Sequence, residues 1–92
     1  MIRSFKDRRA ERLFNGERVR EFEGFADQAE NRLRLLDAAD SLTALRMLPS
    51  NRLEALGGDR RGQFSIRVNR QWRVCFEWRG DGAHNVEIVD YY

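Results

Sequence analysis

The chain has 92 residues, of which 41% are apolar and 35% are charged, and its formal net charge is +2. Such a composition is typical of an ordered protein rather than a disordered tail, and the length predicts a single domain over residues 1–92. No apolar run approaches the ~20 residues of a membrane span, and the start MIRSFKDRRAERLF lacks the apolar segment of a secretory signal. We therefore expect a cytoplasmic protein that does not act at a membrane.

Cysteine and histidine are too scarce to indicate metal or thiol chemistry. The lone Cys75 cannot form an internal disulfide and lies in an apolar strand pattern, which indicates a buried structural thiol. His84 is the only histidine, so we expect neither a metal site nor a cofactor. Arginine supplies nearly all the positive charge, with Lys6 as the only lysine. This bias favours bidentate contacts with phosphate or carboxylate groups, although a GC-rich genome produces the same bias without any function.

The first half of the chain predicts helices. A short strand over residues 2–3 is expected to precede a helix in SFKDRRAERLFNG, which begins with a capping box of Ser4 and Asp7 and ends at Asn15-Gly16. Over residues 22–39, apolar side chains recur every three or four positions, which is the stripe of an amphipathic helix. The segment SLTALRMLP then predicts a short helical turn that its proline closes.

The second half of the chain predicts strands, because apolar and polar residues alternate over residues 63–68 and 72–78. Glycine-rich turns bound both segments, so the stretches RLEAL and NVEIVDY supply one further strand on each side. Two helices covering the apolar face of this antiparallel meander make a two-layer α+β domain. The side chains expected beneath the helices are Phe64, Ile66, Val68, Trp72, Val74, Phe76 and Ile88.

The same alternation predicts the register of the two central strands. One sheet face stays apolar only if Phe64 pairs with Phe76 and Ile66 with Val74, and this register sets Arg67 opposite Arg73 on the other face. Facing guanidinium groups repel each other by roughly 0.2–1 kcal/mol. Removing one arginine is therefore expected to leave stability unchanged or slightly higher. Either carboxylates such as Glu54 and Glu77 neutralise the pair, or the face is a binding surface for an anion.

The last hairpin is expected to pair Phe76 with Ile88, which places Tyr91 beside Arg73, although its loop also permits a shift of two residues. The exposed face would then gather Arg67, Arg73, Glu54 and Tyr91, with Asp90 and Tyr92 at its end. Such a face suits RNA, because arginine binds phosphate and tyrosine stacks on a base. The alternative is that the terminal tyrosines pack on the core as a strand end.

Three stretches of the sequence resemble one toxin family. RLEALGGDRRGQFSIRVNRQWRVCFEW, the C-terminal VEIVDYY and the N-terminal MIRSFKDRRAERLF are similar to the HigB branch of the RelE/ParE superfamily, which covers nearly the whole chain. The resemblance implies a RelE-like α+β fold and a toxin that cleaves messenger RNA on the ribosome. It also implies silencing by a HigA-like helix-turn-helix antitoxin, through which alone the toxin meets operator DNA.

The resemblance implies a set of catalytic residues for attack by a ribose 2′-hydroxyl on the adjacent phosphate. Arg73 matches the family's catalytic arginine, and Asp90 and Tyr91 match its terminal Asp-Tyr pair. Glu54 is usual in a large subgroup, where it serves as a base or orients Arg67. Tyr92 stands where the family commonly has a histidine, and either Tyr91 or Tyr92 would position the RNA or protonate the leaving oxygen. The residues expected to bind RNA are Arg60, Arg61, Arg67 and Arg70.

Two departures from the family pattern keep other functions open. Tyr92 replaces a histidine, and Gly57 replaces a lysine that many members carry. These departures favour a non-catalytic alternative, which is a ParE-like topoisomerase inhibitor or a degenerate toxin that only binds its antitoxin. The third hypothesis is a plain α+β domain whose surface carries paired charges. Cleavage of messages in the presence of translating ribosomes distinguishes the nuclease from the other two, since a topoisomerase inhibitor alters supercoiling instead.

Overall fold

The computed structural model describes residues 1–90. Its helices and strands, in chain order, are α1 (Arg8–Phe14), a 3-10 helix (Arg20–Phe25), α2 (Ala26–Ala38), α3 (Leu42–Arg46), β1 (Glu54–Ala55), β2 (Gln63–Arg67), β3 (Trp72–Arg79) and β4 (Gly82–Asp90). The four strands form one antiparallel sheet in the order β1-β2-β3-β4. This arrangement confirms the predicted α+β fold. Within residues 1–90, no helix is both long and apolar enough to cross a bilayer.

The first helix begins later than predicted, and the predicted capping box is wrong. Asp7 is the N-cap, and its Oδ1 accepts a hydrogen bond from the backbone N of Arg9 at 2.9 Å. The Ser4 hydroxyl instead accepts from the backbone N of Asn85 in β4 at 2.9 Å. The reason is that the chain before Asp7 runs beside β4, where it forms isolated parallel bridges. The predicted end is confirmed, since Gly16 follows α1 with a φ of +87°.

The second predicted helix is divided into a 3-10 turn and α2. Phe25, the last residue of the 3-10 helix and the N-cap of α2, has a non-helical φ of −145° and ψ of 25°. In a 3-10 helix, residues three apart lie on the same side, and Phe22 and Phe25 both contact the Trp72 ring, with centroids 5.7 and 5.0 Å from it. The apolar stripe itself is confirmed, because Ala29 and Leu33 are fully buried.

The predicted register of the central strands is confirmed. Phe64 pairs with Phe76, Ile66 with Val74, and Arg67 with Arg73. Of the side chains expected beneath the helices, Phe64 and Trp72 are partly buried against the core, whereas the others are buried: Ile66, Val68, Val74, Phe76 and Ile88.

The predicted register of the last hairpin is wrong, and from Trp72 to Cys75 the strands instead show the shift of two residues that the loop also permitted. Ile88 pairs with Val74 rather than with Phe76, and Val89 lies opposite Arg73 where Tyr91 was expected. The cause is a tight turn after Arg79, which pairs directly with Gly82, together with an irregularity between Cys75 and Glu77. Such an irregularity adds one residue to one of the two strands, and this shifts every residue pair beyond it. Tyr91 and Tyr92 lie outside the residues that the structure describes.

Candidate active site

The sheet face turned away from the helices carries two rows of polar side chains. The first row runs from Glu54 through Ser65 and Cys75 to Glu87, each residue being the Cα partner of the next. The second row contains Arg67 and Arg73, followed by Val89. Side chains on one face of a strand are two residues apart, so the two rows are neighbours. Arg73 can therefore reach the first row.

Arg73 is held against the sheet by neutral acceptors. Its Nε donates to the Ser65 hydroxyl at 2.7 Å, and its Nη2 donates to the carbonyl of Arg52 at 2.7 Å. Only 12% of the side chain is exposed. Because a hydroxyl and a carbonyl carry no net charge, these two bonds fix the guanidinium without cancelling its charge. The ion pair with Glu54 is looser, with Glu54 Oε1 at 3.6 Å from Nη1.

The two facing arginines avoid each other by turning in different directions. Arg73 turns towards β1, as described above, whereas the Nε of Arg67 donates to the carbonyl of Asn69 in the turn after β2 at 3.1 Å. Of the two carboxylates that could neutralise the pair, Glu54 lies 3.6 Å from Arg73. The Glu77 carboxylate instead lies near Arg79 and accepts from Asn85. The face thus keeps positive charge around the two arginines.

The other arginines expected to bind RNA lie at the two ends of β2. Arg60 donates from Nη1 to Glu87 at 3.0 Å and to Gln63 at 3.1 Å, so an RNA phosphate would share this guanidinium with a carboxylate. Arg61 is exposed in the turn before β2, and Arg70 is exposed in the turn after it. The structure therefore distributes the expected contacts along the whole strand rather than in one cluster.

Cys75 lies in the middle of the polar face but is fully buried. Burial raises the pKa of its thiol to about 11, and Glu87 raises it further, while Arg60 and Arg73 oppose the shift. A thiol with such a pKa is protonated at neutral pH and is a poor nucleophile. The prediction of a buried structural thiol is confirmed.

Asp90 lies on the opposite side of the sheet from Arg73. It is the Cα partner of Trp72, whose ring packs on the aromatic residues of the 3-10 helix. Its Oδ2 accepts from Gln71 Nε2 at 2.7 Å. The structure therefore places Asp90 at the end of β4, beside the turn that follows β2, and does not bring it onto the face with Glu54.

The position of the missing lysine is open to solvent. A Cβ built on Gly57 would meet nothing within 4 Å, and the φ of this residue, −118°, suits any amino acid. Space does not explain the glycine, and nothing else among the described residues does.

Two contributors to the site were not predicted from the sequence. Ser65 was placed opposite Cys75 but not recognised as the acceptor that fixes Arg73. Its position two residues before Arg67 on the same face was the available signal. Arg52 contributes its backbone carbonyl, which accepts from Arg73. Its left-handed φ of 45° orients this carbonyl, and the pattern of side chains in the sequence does not predict such a conformation.

Comparisons with known proteins agree with this fold. Residues 3–92 match the family described as the RelE-like toxin of type II toxin-antitoxin system HigB. The chain is 35% identical over 92 residues to Toxin HigB-1 of Vibrio cholerae serotype O1, which covers 96% of this chain and 95% of that protein. It is 30% identical over 97 residues to Endoribonuclease HigB of Proteus vulgaris, over 100% of both chains. The chain therefore belongs to the RelE-like HigB toxin family and is the toxin of a type II toxin-antitoxin pair.

Proposed function

We propose that this toxin is an endoribonuclease that cleaves messenger RNA on the ribosome and thereby inhibits translation. The name of the Proteus vulgaris relative supports the nuclease activity. The observation that carries the proposal is the position of Arg73 on the polar sheet face, where two neutral acceptors hold its guanidinium beside Glu54. Action on translating ribosomes would take place in the cytoplasm.

Arg73 is the group that stabilises the transition state. Attack of a ribose 2′-oxygen on the adjacent phosphorus adds negative charge to the phosphoryl oxygens, and a fixed cation stabilises that charge most when it needs no rearrangement. The bonds to Ser65 and to the Arg52 carbonyl supply this fixation. They use Nε and Nη2, and in this proposal Nη1, on the side of Glu54, donates to a phosphoryl oxygen of the substrate.

Glu54 is the group that accepts the proton of the 2′-hydroxyl. Its side chain is 54% exposed and its Oε1 lies 3.6 Å from Arg73 Nη1, which puts base and cation within reach of one nucleotide. As the P–O5′ bond breaks, the 5′-oxygen takes up a proton from Tyr91 or Tyr92. The products are a 2′,3′-cyclic phosphate and a 5′-hydroxyl. Asp90, on the far face, would position the terminal residues rather than touch the RNA.

The remaining arginines bind the RNA backbone on either side of the cleaved bond. Arg60 and Arg61 lie before β2, whereas Arg67 and Arg70 lie at and after its end. The five residues of β2 span about 17 Å, so these contacts extend over more than one nucleotide. Arginine is suited to this role because its fork of donors matches phosphate oxygens.

The antitoxin of the pair is a HigA-like helix-turn-helix protein. It would contact operator DNA on behalf of the complex and would silence the toxin by covering the arginine face or by keeping it from the ribosome. A complex in which the antitoxin contacts only the helical side while ribosomes stay accessible would contradict this inhibition mechanism.

The direct experiment is message cleavage in a reconstituted translation system, mapped by primer extension. Cleavage by the wild-type toxin should require translating ribosomes and should disappear when the antitoxin is added. A relaxation and supercoiling assay on plasmid DNA serves as the control for the ParE-like alternative. Intact messages together with altered supercoiling would refute the proposed function, and intact messages with unaltered supercoiling would favour a toxin that only binds its antitoxin.

A further inference from the structure

The ion pairs of the molecule divide its arginines into two groups. Among residues 1–90, half of the sixteen arginines have a carboxylate oxygen within 4 Å, including Arg60 and Arg73. The other eight have no such contact in the described part of the chain, namely Arg8, Arg20, Arg32, Arg46, Arg52, Arg61, Arg67 and Arg70. Four of these eight line one pocket.

This pocket lies at the junction of α2, the chain before β1, and the turn after β2. Its arginines are Arg32, Arg52, Arg67 and Arg70, and its volume is about 410 Å³. No aspartate or glutamate is among its lining residues. Four positive charges in one place repel each other, which is unfavourable unless an anion is bound there. The charge of the pocket therefore indicates an anionic ligand.

The pocket is built rather than accidental. Arg32 Nη1 donates to Asn51 Oδ1 at 2.6 Å, and Asn51 is fully buried, with its Nδ2 donating to the carbonyl of Leu45 at 3.0 Å. On the other side, the Arg67 Nε bond to the Asn69 carbonyl orients the second guanidinium. Arg32 and Arg67 are thus each anchored through one nitrogen to neutral oxygen. Arginines oriented in this way lose little side-chain entropy when they bind an anion.

The pocket adjoins Arg73. Arg67 is the Cα partner of Arg73 on the neighbouring strand, and paired residues of antiparallel strands lie about 5 Å apart. Arg52 lines the pocket with its side chain while its carbonyl accepts the Nη2 bond of Arg73. An anion in the pocket would consequently be a direct neighbour of an anion bound at Arg73.

A phosphodiester fits this pocket better than an acidic peptide does. Peptide-binding grooves take their affinity from apolar anchors, and Val68 is the only apolar side chain that lines this pocket within residues 1–90. The other lining groups are the hydroxyl of Ser50 and the amides of Gln28 and Asn69, which can hydrogen-bond to phosphate or ribose oxygens. A single-stranded nucleic acid also carries its charges at regular, closely spaced positions, as two adjacent sites require.

We propose that the pocket of Arg32, Arg52, Arg67 and Arg70 is a second phosphate site, which binds a backbone phosphate of single-stranded RNA next to the phosphate held at Arg73. The placement of this site beside the cleaved bond rests on the proposed nuclease function, whereas the binding of an RNA phosphate in the pocket is independent of that function. The pocket adds Arg32 and Arg52 to the RNA-binding residues and holds the strand on both sides of the reacting group.

The test is the salt dependence of RNA binding by the free toxin. The ligand is a short, fluorescently labelled 2′-O-methyl oligoribonucleotide, which cannot be cleaved because its 2′-oxygen is blocked, and binding is followed by anisotropy. The pocket variant is Arg52→Gln/Arg70→Gln, at two exposed side chains. The matched control is Arg8→Gln/Arg20→Gln, which removes two exposed arginines without ion pairs from elsewhere on the surface. Thermal melts of all three proteins check that the fold is kept.

Loss of two phosphate contacts should reduce the slope of log affinity against log salt by about 1.4 and weaken binding by roughly tenfold at low salt. The control variant should match the wild type. Equal affinities and slopes for all three proteins would overturn the proposal, as would absence of RNA binding by the wild type. If the pocket variant loses affinity for polyglutamate but not for the oligonucleotide, the pocket binds acidic peptides and the proposal is wrong.

A parallel cleavage assay on ribosomes distinguishes failure of this proposal from failure of the proposed function. A wild-type toxin that binds RNA through the pocket but cleaves no message keeps the phosphate site and removes its placement beside a cleaved bond. A toxin that cleaves messages, but whose RNA binding is unchanged by the loss of Arg52 and Arg70, keeps the nuclease function and overturns the phosphate site.

Discussion

Replacement of Arg73 by alanine is expected to destabilise the fold, which reverses what the facing arginines alone predict. The substitution removes two short hydrogen bonds from a charged donor that is only 12% exposed, and such bonds contribute about 1–2 kcal/mol each. The ion pair with the half-exposed Glu54 adds at most about 0.5 kcal/mol, since solvent screens it. Relief of repulsion from Arg67 returns roughly 0.2–1 kcal/mol. The net cost is about 1–4 kcal/mol.

Thermal and urea unfolding measure this cost. For a domain of this size, 1 kcal/mol corresponds to about 4–8 °C in Tm, so Arg73→Ala should melt roughly 5–30 °C below the wild type. Arg67→Ala is the matched control, because the loss of its one bond to Asn69 should cost at most about 1 kcal/mol. A cycle with Ser65→Ala should show a coupling of about 1 kcal/mol between Arg73 and Ser65. Melting of Arg73→Ala at or above the wild-type temperature would refute the reasoning.

Three further predictions concern single positions. Burial raises the pKa of Cys75 to about 11 from 9.0, so the folded thiol holds its proton more tightly than the unfolded one. The free energy of unfolding should therefore fall as the pH rises from 9 to 11, and urea titrations of Cys75→Ala should lack that part of the fall. Asp7→Ala, which removes the N-cap of α1, should cost about 1 kcal/mol in the same titrations, and Asp7→Asn should cost less. Gly57→Lys enters open space and should steepen the salt dependence of RNA binding by about 0.7 without lowering Tm, whereas Gly57→Ser should change neither.

The register of the central strands could be predicted because it follows from burial. A shift of one residue between β2 and β3 would turn Ile66 and Val74 to the polar face and bury Arg67. Burial excludes every shift by an odd number of residues, and the short turn between the two strands favours the register that places Arg67 opposite Arg73. The fold class followed from the same alternation, together with the helical stripe that buries Leu33.

Other features depend on contacts that local patterns do not encode. The hydroxyl of Ser4 bonds to Asn85, 81 residues away in the chain, so the local capping rule chose the wrong residue. The irregularity between Cys75 and Glu77 is a backbone feature without a compositional signal. For the same reason the sequence placed Tyr91 opposite Arg73, where the structure has Val89.

The proposed second phosphate site could not be predicted from the sequence either. Arg32 lies on the polar side of α2, where the amphipathic pattern predicts that a charged side chain is exposed to solvent. Only the fold shows that it reaches Asn51 and meets Arg67 in one pocket. Arg52 enters the site through a left-handed backbone conformation, which non-glycine residues adopt rarely. Tertiary structure, rather than spacing along the chain, assembles this group.

The central claim is that Arg73 stabilises the transition state of message cleavage, and single-turnover cleavage on programmed ribosomes tests it most directly. With ribosomes saturated by toxin, at a temperature where each variant is folded, Arg73→Ala should cleave at least about 10²-fold more slowly than the wild type, with little change in the concentration needed for saturation. Arg67→Ala should mainly raise that concentration. Cleavage by Arg73→Ala at the wild-type rate would contradict the claim, and loss of cleavage in Arg67→Ala alone would assign the catalytic role to Arg67.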